Sequence, residues 1–210
     1  MSDLKDLILT RISSGAPSSV WTVNDFLDLG SYDAVRKTLQ RLASAEDIRR
    51  IDDGLYDRPQ INRLTRQSNP RDPRQVIDAV ARRNQIRVLV DGMTAANDLG
   101  LTNAVPAKIV VHTDARLRPI HLGNLTISFK PTAASKLFWA GRPAMRLVQA
   151  LHWLRDTTDL QTLSAQVRAL LRRLPDADQV RTDLADGLLT LPAWMQDLLR
   201  PLVNPEAAAQ

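Results

Sequence analysis

Apolar residues near the start of the chain recur at the spacing of an α-helix. They predict three helices, over residues 3–13, 23–29 and from Ser31 toward Ala45. Thr22 and Ser31 stand where the N-caps of the second and third helices should lie. Asp25, three residues after Thr22, can reach back as in a capping box. Gly30 ends the second helix and allows a sharp turn into the third.

The hydrophobic pattern then changes to a period of two. Residues 48–51 and 55–58 alternate on either side of Asp52-Asp53-Gly54, which predicts a β-hairpin. The predicted order is therefore helix, helix, tight turn, helix and two-stranded wing. This order is that of a winged helix-turn-helix, which we place in residues 1–66.

A linker with Asn69-Pro70 and Asp72-Pro73 separates this domain from a predicted second domain, residues 67–210. Asp72 and Pro73 begin a helix that runs to about Asn84. Beyond it we predict a small sheet within 86–130, from strands at 86–90, 108–112, 117–122 and 125–130, with a short helix at 94–99. Further helices are predicted at 143–156, 160–174, 177–191 and 192–202. The expected fold class is α+β: a winged helix-turn-helix followed by a mixed α/β domain that ends in a helical bundle.

Composition narrows the function classes only moderately. The chain of 210 residues is 44% hydrophobic and 24% charged, as in ordinary globular proteins. It has no cysteine, which excludes disulfides and thiolate metal sites. No apolar run is long enough for a signal peptide core or a membrane span, so we expect a cytoplasmic protein without membrane contact.

The net charge of +5 is unevenly distributed. Residues 1–62 carry eight Lys and Arg against ten Asp and Glu, whereas 63–90 carry seven arginines against two aspartates. An anionic partner would explain this excess, and a general preference for arginine over lysine would explain it equally well.

The third predicted helix carries the candidate DNA contacts. In a helix-turn-helix the second helix of the motif enters the major groove, with its N-terminal residues nearest the bases. The residues expected there are Ser31, Tyr32, Arg36, Lys37 and Gln40. We expect backbone contacts from Arg41, Arg49, Arg50 and Arg58. Asp52 and Asp53 should keep the hairpin tip away from phosphate, so the base of the wing makes the contact. A further exposed basic surface, for antitoxicity or DNA backbone contact, is predicted from Arg74, Arg82 and Arg83.

Enzymatic function is not predicted. The three histidines are scattered, and no metalloprotease, nucleophile-elbow or P-loop motif occurs. Gly30-Ser31 superficially resembles a phosphate-gripping turn, but the nearest acid pair, Asp52-Asp53, lies at a hairpin tip, where it cannot hold magnesium. His112 and Asp114 are expected to be structural. No cofactor and no metal is therefore expected.

The residues of the helix and wing resemble the winged-helix half of the AbiE-type antitoxins of type IV toxin–antitoxin systems. The similar positions are Ser31, Val35-Arg36-Lys37, Leu39, Arg41-Leu42, Ile48-Arg49-Arg50 and Gly54-Leu55-Tyr56-Asp57-Arg58-Pro59. Residues 91–130 are similar to the segment that follows the wing in short members of that family, and the resemblance spans roughly residues 1–155. The acidic wing tip departs from the family pattern.

This resemblance implies an antitoxin that binds inverted repeats in its own promoter DNA and represses its operon. It also implies that the C-terminal domain counters a nucleotidyltransferase-like toxin. We expect a monomer in solution that binds the repeats cooperatively. Two alternatives remain open: a regulator that binds a small molecule through Asn97, Asn103, His112 and His121, and a protein-interaction module built on a winged helix.

Overall fold

The computed structural model describes residues 3–61, 66 and 68–203. The chain divides into two compact units. The N-terminal unit comprises Met1–Ile86 and Ile120–Gly123, and the C-terminal unit comprises Arg87–Pro119 and Asn124–Gln210. The described residues form eight α-helices and two small sheets. The protein is therefore α+β, as predicted.

The N-terminal unit combines helices with an antiparallel sheet of three strands. Its elements are α1 (Leu4–Ser14), β1 (Val20–Thr22), a 3-10 turn (Val23–Phe26), α2 (Tyr32–Ser44), β2 (Arg49–Asp52), β3 (Leu55–Asp57), α3 (Pro73–Asn84) and β6 (Ile120–Leu122). The sheet has the order β1-β3-β2, so β3 is central. The predicted hairpin is confirmed to within one residue, and β1 is an addition that the sequence analysis did not predict.

A hydrophobic cluster packs α1, the 3-10 turn and α2 against strand β3. It contains nine buried side chains: Ile8, Ile12, Val23, Phe26, Val35, Leu39, Leu42, Ile48 and Tyr56. Val35, Leu39 and Leu42 are the predicted stripe of α2, and all three are at most 1% exposed. Burial of such side chains contributes roughly 1.5–3 kcal/mol each. Burial of this stripe in the core thus determines which face of α2 is exposed to solvent.

The second predicted helix is replaced by the 3-10 turn Val23–Phe26. Between strand β1 and Gly30 only seven residues remain, and an α-helix of that length does not recover the cost of its first turn. The predicted reach of Asp25 to the cap residue is nevertheless present. The backbone N–H of Thr22 donates to Asp25 Oδ2 at 2.7 Å, and the Thr22 hydroxyl donates to the same oxygen at 3.0 Å.

Helix α3 begins as predicted, with Asp72 as N-cap and Pro73 at its first position. Its buried residues are Val76, Ile77, Ala79 and Val80. It belongs to the N-terminal unit and contacts β1 and β3. The compact unit therefore extends to Ile86, about 20 residues beyond the boundary predicted after residue 66, because the apolar face of α3 is buried there.

The C-terminal unit contains three paired strands and five helices among its described residues. They are β4 (Val88–Val90), α4 (Gly92–Asp98), β5 (Lys108–Thr113), β7 (Leu125–Pro131), α5 (Met145–Leu154), α6 (Leu160–Arg173), α7 (Ala177–Gly187) and α8 (Ala193–Val203). Strand β4 is antiparallel to β5, and β5 is parallel to β7. Every helix predicted here is present, although α7 ends at Gly187 and a 3-10 turn follows it.

Two aspartates connect helices of this unit to their neighbours. Asp91 caps α4 through the backbone N–H of Thr94 and also accepts a 2.9 Å hydrogen bond from the N–H of Val110 in β5. Asp183 of α7 is buried, pairs with Arg142 at 2.5 Å and accepts from the backbone N–H of Ala144. Within the described residues, no helix is both long and apolar enough to cross a lipid bilayer.

Candidate nucleic-acid interface

Helix α2 is the element on which most of the predicted DNA contacts lie. Ser31 is its N-cap, and the Ser31 hydroxyl accepts a long hydrogen bond of 3.4 Å from the N–H of Ala34. The apolar stripe opposite the predicted contacts is buried. With one face fixed in the core and the start of the helix capped, the polar face must be directed outward.

All five polar or aromatic positions predicted on this face of the helix are exposed to solvent. They are Tyr32, Arg36, Lys37, Gln40 and Arg41. Arg36 makes only a loose contact of 3.8 Å with Asp33, one turn away on the surface. In the part of the chain that the structure describes, no ion pair holds Lys37 or Arg41. The face therefore offers cations whose charge is not already neutralised.

The arrangement on α2 fits the chemistry of duplex DNA. Lys37, Gln40 and Arg41 line an open, shallow concavity together with Ser44 and Ala45. Arg and Lys can bridge the acceptors of guanine or bind phosphate, and Gln can pair with adenine. A helix presenting these groups along one side has the side-chain chemistry and the width of a major-groove reader.

Arg49, at the base of the predicted wing, is engaged inside the protein. Its Nε donates to Asp57 Oδ1 at 2.9 Å and its Nη2 to Oδ2 at 2.5 Å, while Nη1 donates to the carbonyl of Asn69 at 3.4 Å. The hydrogen bond with Asp57 holds the pKa of Arg49 above its usual value. Because the Asp57 side chain is only 6% exposed, a phosphate that recruited Arg49 would leave a buried carboxylate unpaired. We therefore remove Arg49 from the candidate interface.

Arg50 is directed to the hairpin tip. Its Nη2 lies 2.8 Å from Asp53 Oδ1, and its Nε donates to the carbonyl of Asp52 at 3.3 Å. The pair is exposed, so it constrains Arg50 far less than Asp57 constrains Arg49. It does neutralise part of the acidic tip, an effect that the sequence analysis did not include.

Three other predicted arginines, Arg58, Arg82 and Arg83, contact residues outside α2. Arg58 donates to the hydroxyl of Ser13, at the end of α1. Arg82 pairs with Asp25, with Nε 3.0 Å from Oδ1, and donates from Nη2 to the carbonyl of Val20 at 3.1 Å. Arg83 donates to the backbone carbonyl of Asp53. An exposed basic surface was expected from Arg74, Arg82 and Arg83. Arg82 and Arg83 are instead engaged in contacts within the N-terminal unit.

Sequence reasoning missed one ion pair and one strand of the N-terminal unit. Arg11 of α1 forms a bidentate pair with Asp28, with both N–O distances 2.6 Å, and also donates to the carbonyl of Asp25. Strand β1, which positions the acceptor carbonyl of Val20, was missed as well. The run Val20-Trp21-Thr22 consists of residues typical of strands and was the available signal.

Three of the polar residues considered for a small-molecule or metal site, Asn97, His112 and Asp114, make polar contacts within the C-terminal unit. Asn97 donates to the carbonyl of Ala104 at 2.9 Å, and His112 Nδ1 lies 3.0 Å from the Thr132 hydroxyl. Burial lowers the pKa of His112. Asp114 pairs with Arg87 at 3.1 Å. Among the residues described, no cluster of three or more His, Asp or Glu is suited to a metal ion.

A known protein family matches most of the chain. Residues 7–180 match a family of unknown function, DUF6088. The chain belongs to the DUF6088 family. The matched range includes α2, both sheets and the helices up to the start of α7, so the candidate interface lies inside the part that defines this DUF6088 protein. No curated protein matches the chain.

Proposed function

We propose that this DUF6088 protein is a DNA-binding transcriptional repressor whose N-terminal unit is a winged helix-turn-helix that reads the major groove through α2. The single observation that carries the proposal is the exposed, unneutralised cationic face of α2 opposite its buried stripe. The order of helices, 3-10 turn and strands, with β3 central in the sheet, supports it as well. The contacts we assign are Ser31, Tyr32, Arg36, Lys37, Gln40 and Arg41, with Arg50 and Arg58 as backbone contacts at the periphery.

The biological setting of the proposal rests on the resemblance to AbiE-type antitoxins. In this setting the protein acts in the cytoplasm by binding and not by catalysis. It binds inverted repeats upstream of its own gene as a monomer, cooperatively, and represses the operon. Its C-terminal unit counters a nucleotidyltransferase-like toxin encoded beside it.

A gel-shift titration with the duplex upstream of the gene tests the DNA-binding part. The expected result is saturable binding that weakens steeply between about 50 and about 200 mM salt, because counterions are released when cations bind phosphate. An unrelated duplex of equal length is the control and should bind more weakly. Equal affinity for both duplexes would contradict promoter recognition, and no binding to either would contradict the proposal altogether.

A co-expression experiment tests the antitoxin part separately. A flanking gene for a nucleotidyltransferase-like protein should arrest growth, and co-expression of this chain should relieve the arrest. The double variant K37A/R41A should still relieve it, because both substitutions lie on α2 and leave the C-terminal unit intact. If the wild-type chain gives no relief, the antitoxin role is wrong even where DNA binding is demonstrated.

A further inference from the structure

The last turn of α3 contacts the two segments that flank the candidate DNA-reading helix along the chain. Arg82 reaches Asp25 with two nitrogens, Nε at 3.0 Å from Oδ1 and Nη2 at 3.1 Å from Oδ2. The same Nη2 donates to the carbonyl of Val20 in β1. Arg83 donates to the carbonyl of Asp53 at the hairpin tip. One helical turn thus holds both the segment that precedes α2 and the wing that follows it.

Asp25 is the residue through which α3 contacts the turn that precedes α2. Its side chain is 17% exposed and accepts from the Thr22 N–H, the Thr22 hydroxyl and Arg82. Burial by itself would raise the pKa of Asp25, but the hydrogen bonds from Arg82 and Thr22 outweigh it and hold the pKa below its usual range. The carboxylate therefore fixes the turn Val23–Phe26, from which the chain passes through Gly30 into α2.

The hairpin tip is held in a comparable way. Gly54 adopts φ +65°, a left-handed conformation that suits glycine, and the position of its absent Cβ lies 3.8 Å from Arg83 Nη1. The Asp53 side chain is paired with Arg50 while its carbonyl accepts from Arg83. Arg83 therefore holds the tip through its backbone, while the carboxylate of Asp53 has Arg50 as its partner.

We propose that Arg82 and Arg83 are positioning residues, which set α2 and the wing in the orientation that duplex DNA requires without contacting the DNA themselves. This inference rests on the proposed DNA-binding function. A guanidinium that already bridges a carboxylate and a carbonyl gains little from a phosphate, since it would exchange one charged partner for another. The planar fork of Arg82 is essential to the role, because a lysine ammonium cannot make the same bidentate pair.

Three single variants of the full chain test the inference against the upstream duplex. R82Q removes the bidentate pair, R82K keeps the charge and removes the fork, and R181Q is the matched control. Arg181 lies in the C-terminal unit, where it forms an exposed pair with Asp178, so R181Q changes the net charge as R82Q does. We expect R82Q to weaken binding by about tenfold. R82K should also weaken binding although the net charge is unchanged, and R181Q should bind as the wild type does.

The salt dependence of binding separates positioning from phosphate contact. A lost phosphate contact reduces the slope of log K against log salt by about one, whereas a lost positioning contact leaves the slope unchanged. K37Q is the comparison for a direct contact and should show the reduced slope. A reduced slope in R82Q together with full affinity in R82K would overturn the inference and make Arg82 a phosphate contact.

Amide hydrogen exchange provides a measurement that does not need DNA. Exchange should increase in residues 22–31 in R82Q and in residues 50–55 in R83Q, and it should stay unchanged in both variants in α6, which lies in the C-terminal unit. Unchanged exchange in 22–31 would overturn the inference whatever the DNA results. Absence of wild-type DNA binding would overturn both the proposed function and the positioning role, while increased exchange in R82Q would still establish the link between α3 and the turn. The two failures are therefore distinguishable.

Discussion

The basic residues of α2 and those of α3 and the hairpin β2–β3 have similar side chains but different surroundings. Lys37 and Arg41 are exposed on α2, and within the described ranges no carboxylate pairs with them. Arg49 and Arg82 each make a bidentate contact with an aspartate, Asp57 or Asp25. An arginine that serves a buried carboxylate stabilises the fold, whereas an unneutralised cation on a fixed helix is available to a ligand. Counting cations in the sequence therefore overestimates the size of the candidate DNA-binding surface.

The largest expected effect on stability is that of Arg49→Ala. The substitution leaves Asp57, which is 6% exposed, without its partner and should lower the free energy of unfolding by about 3 kcal/mol. Chemical denaturation of the full chain measures the change. The double variant R49A/D57A should recover part of the loss, because it also removes the unpaired carboxylate. A loss below about 0.5 kcal/mol in R49A would show that Arg49, like the exposed cations of α2, does not stabilise the fold. The contrast between the two groups of cations would then be wrong.

The next effect concerns binding and not stability. The double variant K37A/R41A should weaken binding to the upstream duplex by about 30-fold and reduce the salt slope by about two, because two cations no longer meet phosphate or base acceptors. Its free energy of unfolding should stay within about 0.5 kcal/mol of the wild type, since both positions are exposed. Unfolding and gel-shift measurements on one preparation check both statements. Unaltered affinity would show that the face of α2 is only a solvated surface.

A pH series sharpens the comparison at Asp25. Its pKa is lowered in the folded protein, so the pair with Arg82 stabilises the fold above the pKa of an unfolded aspartate, about 3.9, and this stabilisation is lost as the pH falls through the lower folded value. The difference in melting temperature between wild type and R82Q should accordingly shrink from pH 7 toward pH 3. The difference between wild type and R181Q should be small at both ends. A gap that widens on acidification would contradict the assigned pairing.

The smallest effect is expected at the hairpin tip. Asp53 has a side chain 95% exposed, so Asp53→Asn should change the free energy of unfolding by less than about 0.5 kcal/mol. If the tip stays away from phosphate, DNA affinity should change by less than about twofold, whereas a tip near phosphate should bind more tightly once the charge is removed. The gel shift decides between the two, with Asp178→Asn in the C-terminal unit as a control for the change in net charge.

Local patterns in the sequence were sufficient for most elements. A few neighbouring residues were enough to predict the stripe of Val35, Leu39 and Leu42, the cap at Ser31 and the turn at Gly54. The turn Val23–Phe26 was predicted as a longer helix because propensity does not register that the preceding strand uses up the available length. The exposed set on α2 was predictable, since it lies opposite the stripe on the same helix.

Apart from the turn Val23–Phe26, which was predicted as a helix, the sequence by itself determined the α-helices of the described residues, the hairpin, the α+β class and which side of α2 is polar. These features follow from periodicity and from contacts between near neighbours. Only the tertiary structure decided which arginines are engaged. Arg49 meets Asp57 across a hairpin, and Arg82 meets Asp25 over a separation of 57 residues. Ion pairing depends on distance in space, and no pattern along the chain records which charges folding brings together.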